Sequence, residues 1–168
     1  MIRTVASLFP NLGSKLVTGS IKVEEEPSYR GPVLFVPALA GSVRFSNVDG
    51  SASASLPLAI RQSSDFVYAH VAQNEGWFTG VTILNPNAAP VDFTIDVYTC
   101  EGVLKGSYSS QLQPGERLAN LLWQLVPASA GQTDGYIRIT SSAYLTSFAL
   151  FGSGDLQSLS AIQPQALR

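Results

Sequence analysis

Cysteine and histidine are almost missing from this 168-residue chain: Cys100 and His70 are the single copies of each. One cysteine excludes an internal disulfide, and two potential ligands in all fall short of the several a tetrahedral zinc site requires. Charge is scarce as well. Charged residues make up 13%, about half the usual share of roughly 25%. The net charge is −2, and the ten Lys and Arg are spread without a run. Nucleic acid is therefore not an expected partner, because phosphate neutralisation needs a concentrated basic patch. No apolar run reaches the ~20 residues of a membrane helix, so membrane insertion is not expected. Met1–Pro10 lacks the apolar core and small-residue cleavage site of a signal peptide. If the protein is exported, its signal is expected outside this chain.

Hydroxyls, amides and turn-formers take the place of the missing charge, while hydrophobic residues reach 45%. The apolar stretches are short, alternate with period two, and end at Gly, Pro, Asn or Asp. Val91, Phe93, Ile95 and Val97 share one side of a strand, and Asp92, Thr94, Asp96 and Tyr98 the other. Cys100-Glu-Gly102 turns that strand into a second one over 103–112, with Gly102 as the residue of positive φ. Further strands are predicted over 66–72, 80–84, 116–121, 135–140, 144–151 and 156–162, with Ser141-Ser142 as a break. Only 121–130 offers a helical turn, limited by Pro127. This pattern predicts an all-β, antiparallel sandwich.

The start of the chain resembles its end. Arg3-Thr-Val-Ala-Ser-Leu-Phe9, Thr18-Gly-Ser-Ile-Lys-Val23, Val33-Leu-Phe-Val36 and Ala54-Ser-Leu-Pro57 run parallel to Arg117-Leu-Ala-Asn-Leu-Leu-Trp123, Asp134-Gly-Tyr-Ile-Arg-Ile139, Phe148-Ala-Leu-Phe151 and Ser160-Ala-Ile-Gln-Pro164. The expected organisation is a partial module at 1–58, holding later strands only, and a complete module at 66–164, a tandem array cut part-way through a repeat. The partial module is expected to hold strands at 4–9, 19–23, 32–36 and 53–58, with a turn at Asn47-Val-Asp-Gly50 and a linker at 57–65.

The string Trp77-Phe-Thr-Gly-Val-Thr-Ile-Leu-Asn-Pro86, followed by Ala89-Pro-Val-Asp-Phe-Thr-Ile-Asp-Val-Tyr98, Leu112-Gln-Pro-Gly115 and Asp134-Gly-Tyr-Ile-Arg-Ile139, resembles tandem β-sandwich modules of large exported bacterial proteins. The resemblance covers 68–164 as a module and 3–57 as a half module. It implies an immunoglobulin-type spacer or adhesive domain, extracellular or at the cell surface, and no catalytic residue comes with it.

A Ser-His-Asp or Cys-His catalyst would have to use His70, which shares a strand face with Phe66, Tyr68 and Ala72. Cys100 lies in a turn some thirty residues away. Asp92 and Asp96 stand about 13 Å apart by strand rise, beyond the roughly 5–9.5 Å of a glycosidase pair. Asn47, Asp49, Asp134 and Asp155 form at most a weak calcium set, since turns use these residue types anyway. No catalytic, metal or cofactor-binding residue is expected. The expectation is a non-enzymatic structural or adhesive module whose partners are other proteins, through self-association or neighbouring modules, with edge pairing between Arg3 and Leu58. The alternative is a carbohydrate-binding module with Trp77, Phe78, Tyr98 and Trp123 as stacking residues, glycans being the partner. A third possibility is a subunit that takes its missing strands from a partner.

Overall fold

Strict alternation along 91–98 decides the architecture, because it obliges one side of that strand to be covered by another layer. In the computed structural model, which describes residues 3–12, 20–24, 41–46, 50–51, 53–58 and 62–167, the strands form an antiparallel β-sandwich. The chain divides into two units, Met1–Ala38 and Leu39–Arg168. The division falls between 38 and 39 rather than within 58–66, so the segment expected as a linker lies inside the second unit.

In the first unit, the strand expected at 4–9 is instead a short helix, α1 (Val5–Leu8), followed by a 3-10 turn at Pro10–Leu12. Thr4 decides the outcome. Its side chain accepts from the Ser7 amide at 3.1 Å, and Ser7 Oγ donates to the Thr4 carbonyl at 2.8 Å, a capping exchange that favours the helix. Ser20–Glu24 forms no strand. The strand expected at 32–36 and the turn residues 47–49 lie outside the described residues.

The second unit opens with a hairpin, β1 (Ser42–Ser46) and β2 (Ser53–Pro57). The sandwich then uses β3 (Ser63–Tyr68), β4 (Trp77–Leu84), β5 (Val91–Tyr98), β6 (Leu104–Leu112), β7 (Arg117–Leu121), a helical turn α2 (Leu122–Leu125), β8 (Tyr136–Ser153), β9 (Leu159–Ile162) and β10 (Gln165–Ala166). One layer runs β10-β3-β8-β5-β6 and the other β9-β8-β4-β7. The two stretches expected as separate strands at 135–140 and 144–151 are thus one 18-residue strand that belongs to both layers.

β8 can change layers because its inward phase never breaks. Ile137, Ile139, Leu145, Ser147, Ala149 and Phe151 are all buried and all odd-numbered. At the crossing, Ser141 Oγ donates to the Ala143 carbonyl at 2.8 Å, and Ser142 Oγ accepts from the Asp92 amide at 3.0 Å. The serines satisfy the backbone where the strand leaves one ladder for the other, a corner of the kind two-sheet folds use. Phe66, Tyr68, Val81, Ile83, Val91, Phe93, Ile95 and Val97 complete the core with Leu122. Each such side chain contributes roughly 1.5–3 kcal/mol on burial. Between the layers, the Tyr68 hydroxyl donates to Ser147 Oγ at 2.7 Å, and Ser147 Oγ donates to the Thr82 carbonyl at 2.8 Å. Burial, opposed in part by that hydrogen bond, raises the Tyr68 phenol well above its ordinary range. Among the described residues, no helix is long and apolar enough to cross a membrane.

Candidate functional site

Two neutral amides hold the two ends of the sandwich. At one end Asn85, fully buried, donates from Nδ2 to the carbonyls of Ala89 (2.8 Å), Leu112 (3.0 Å) and Gln113 (3.2 Å). Its Oδ1 accepts from the Asn87 amide and side chain. The Asn-Pro pair after β4 is therefore a loop clasp. At the other end Gln73 donates to the Ser129 carbonyl and hydroxyl, accepts from the Trp123 amide at 2.8 Å, and sends its own amide to the Gln132 carbonyl at 2.7 Å. Gln132 in turn donates to the carbonyls of Tyr98 (2.8 Å) and Asp134 (2.6 Å). Gly135, at φ +97°, sits where an added Cβ would stand 2.0 Å from the Tyr98 carbonyl oxygen, so only glycine fits.

This second clasp gathers three of the four expected stacking residues near one end. Trp123 is on α2 with 45% of its surface exposed, and Trp77, bridged to Asn74 at the start of β4, is 47% exposed. Tyr98, at the end of β5, stacks on Tyr136 with ring centroids 4.8 Å apart and planes 10° from parallel. Phe78 stands apart on the outer face of the β4 layer, its ring over Gly152. There it borders an apolar groove of about 420 Å³ with Phe148, Leu150, Leu121 and Gly80. The four do not make a single platform. Tyr136 is the aromatic that sequence reading missed; the Gly135-Tyr136 strand start was its signal.

The outer face of the β5 layer is polar. Asp92 accepts from Gln111 Nε2 at 2.8 Å, Thr94 and Ser109 share a hydroxyl bond at 2.8 Å, and Asp96 accepts from Ser107 Oγ. Asp65 receives a bidentate pair from Arg138 at 2.9 and 2.8 Å. The shallow groove among Asp92, Thr94, Ser109, Thr140 and Ser142 has a volume of about 560 Å³.

His70, Cys100 and Asp155 lie apart from one another, each with its own neighbours. His70 is exposed, with its ring centroid 5.0 Å from that of Phe151. Cys100 Sγ donates to Glu101 at 2.9 Å and Asp134 at 3.4 Å. Those two carboxylates, Glu101 first, push the thiol up to about 11, the opposite of nucleophile activation. Asp155 is tied to Ser153 Oγ and the Gln157 amide, which hold its carboxyl below its ordinary value. Among the described residues, no group of three or more His, Cys, Asp or Glu is placed to hold a metal ion; Asn47 and Asp49 lie outside them.

The second candidate feature is an edge. β6 is nine residues long and pairs only with β5 among the described residues. The direction of its unpaired groups follows from β5. The Asp92 amide points to β8, so Phe93, Ile95 and Val97 send their N–H and C=O to β6, where they meet Ser110, Tyr108 and Gly106. Ser107, Ser109 and Gln111 then present their main-chain groups to the open side. Their side chains reach across to Asp96, Thr94 and Asp92, as expected of the closer, non-hydrogen-bonded pairs.

Comparison of the chain with protein-family models, with curated proteins and with solved structures finds no match in any of the three.

Proposed function

We propose that the chain is a non-enzymatic, structural or adhesive β-sandwich module of an exported or cell-surface bacterial protein, acting through a sheet edge. The observation that carries this reading is β6, whose outward N–H and C=O groups at Ser107, Ser109 and Gln111 form a template for another strand. An immunoglobulin-like character is supported by two pairings. Taking β3 as the first strand of the sandwich, the second pairs with the fifth (β4 with β7) and the third with the sixth (β5 with β8). The scarcity of charge and the protonated Cys100 fit a module that holds rather than reacts.

The test is retention under flow on a surface coated with the chain, using beads that carry bacterial cell-envelope fragments and beads that carry the chain itself. At least one bead type should be retained, and Ser109→Pro, which removes an outward N–H, should cut retention at least tenfold. Retention no better than that of bare beads would refute the reading.

A second reading, carbohydrate binding, is favoured by the Tyr98–Tyr136 stack near Asp96 and Arg138, on the layer face that also carries the hydroxyl-lined groove, since sugars need aromatic faces and neutral or acidic hydrogen-bond partners. Binding on a broad glycan panel that disappears in Tyr136→Ala would establish it; no glycan retained would remove it.

A further inference from the structure

We propose that β6 pairs antiparallel with β6 of a second copy of this chain, about a twofold axis at Tyr108. The proposal rests on the reading of the module as one that acts through its sheet edge, and it names the partner and the register. Three observations support it.

The first is the choice of edge. Among the described residues, the other one-sided strands are β1, β2 and β7 with five residues each, β9 with four and β10 with two. β6 has nine and contains no proline. Its protection is confined to one end, where the register shift between Val97 and Tyr98 leaves Lys105 as an extra residue. Lysine and a bulge are the usual guards of an edge. From Gly106 to Leu112 neither guard is present.

The second is the phase of the hydrogen-bonding groups. Tyr108 spends its N–H and C=O on Ile95, while Ser107 and Ser109 point theirs outward. A twofold axis through Tyr108 therefore makes Tyr108–Tyr108 a non-hydrogen-bonded pair, with Ser107 facing Ser109 in two hydrogen-bonded pairs. About four main-chain hydrogen bonds form at the centre alone.

The third is the sequence of the strand itself, which reads as its own complement about Tyr108. Leu104 faces Leu112, Lys105 faces Gln111, Gly106 faces Ser110, and Ser107 faces Ser109. The single charge meets an amide, so no like charges oppose one another. Leu104, half exposed in the single chain, comes opposite Leu112, whose side chain stays in its own core. Tyr108, already tilted against Phe93 at 6.1 Å, meets its own copy. Two five-stranded layers become one continuous sheet, and an isologous contact of this kind closes at the dimer without growing into a fibre.

Sedimentation velocity on the full chain over a hundredfold range of concentration tests this. The wild type should pass from monomer to dimer. Ser107→Lys with Ser109→Lys places lysine against lysine on both sides of the axis and should weaken dimerisation at least tenfold. An equimolar mixture with Ser107→Glu plus Ser109→Glu should restore a dimer containing one chain of each. A wild type that stays monomeric throughout, or a double-lysine chain that dimerises as well as the wild type, would overturn the proposal. Edge-dependent bead retention together with a monomeric wild type would sink this pairing and leave the module reading in place. Should the charged variants fail to fold by circular dichroism, cysteine cross-linking decides. With Cys100→Ser throughout, chains carrying Ser107→Cys mixed with chains carrying Ser109→Cys should form a disulfide at least fivefold faster than either alone; equal rates would refute the register.

Discussion

Asn85 illustrates how neutral hydrogen bonding does in this chain the work that charge does elsewhere. Asn85 donates to three carbonyls, of Ala89, Leu112 and Gln113, and removing the amide would take a donor from each and leave the loop after β4 untied from the end of β6. Asn85→Ala should therefore cost roughly 2–4 kcal/mol, read as the drop in unfolding free energy in urea, with little change in m. In the sequence this asparagine looks like an ordinary turn former before Pro86, because turn asparagines and buried clasps share the same local signature. Gln73 is hidden for the same reason, since nothing local distinguishes an amide that reaches Ser129 and Trp123 from one in solvent. Cys100 lies between Glu101 and Asp134, and both carboxylates disfavour its thiolate. The sign is direct: with the thiol held at about 11, the reactive form is scarce at pH 8 and increases as pH rises. Alkylation by iodoacetamide should be slow at pH 8 and climb towards pH 11, and Glu101→Gln should shift that profile to lower pH. A rate at pH 8 equal to that of free cysteine would contradict the geometry.

The strands differ in how openly the sequence declares them. β5 is plain, since Val91, Phe93, Ile95 and Val97 alternate without exception with residues that face outward. β8 is concealed by Ser141 and Ser142, which read as a turn but serve as the polar hinge of a strand that passes between layers. α1 is concealed by alternation: Val5, Ser7 and Phe9 fit a strand on paper, and the capping hydrogen bonds of Thr4 outweigh that pattern. The backbones of Trp123 and Tyr98 are tied at the same end of the sandwich by Gln73 and Gln132, a long-range link that spacing along the chain cannot reveal. The openness of β6 is also a matter of topology, since no residue in Leu104–Leu112 states which neighbours it lacks. Proline tests its directionality. Ser109→Pro removes an outward donor and should leave the melting temperature within about 3 °C, whereas Ser110→Pro breaks a ladder bond to Phe93 and should cost roughly 3 kcal/mol or more. Equal losses from the two would mean that the phase assigned to β6 is wrong.

At the scale of the whole molecule, a well-filled two-layer core carries one long edge with its hydrogen-bonding groups turned outward. The core is closed by amides at both ends and by a strand shared between layers, and the proposed pairing at β6 leaves these ties untouched. Edge-mediated association was expected between Arg3 and Leu58; the helix at Val5–Leu8 and the pairing of β1 with β2 redirect attention to β6. The most direct test of this central claim is amide hydrogen exchange along Leu104–Leu112, followed residue by residue by NMR at low and high protein concentration. At low concentration the amides of Tyr108 and Ser110 should be protected by β5, while those of Ser107 and Ser109 exchange at nearly the rate of an unstructured chain; at high concentration the second pair should become protected as well. Protection of Ser107 and Ser109 in dilute solution, or their unchanged exchange across the whole range, would contradict the account: the first because the edge would already be covered, the second because nothing would pair with it.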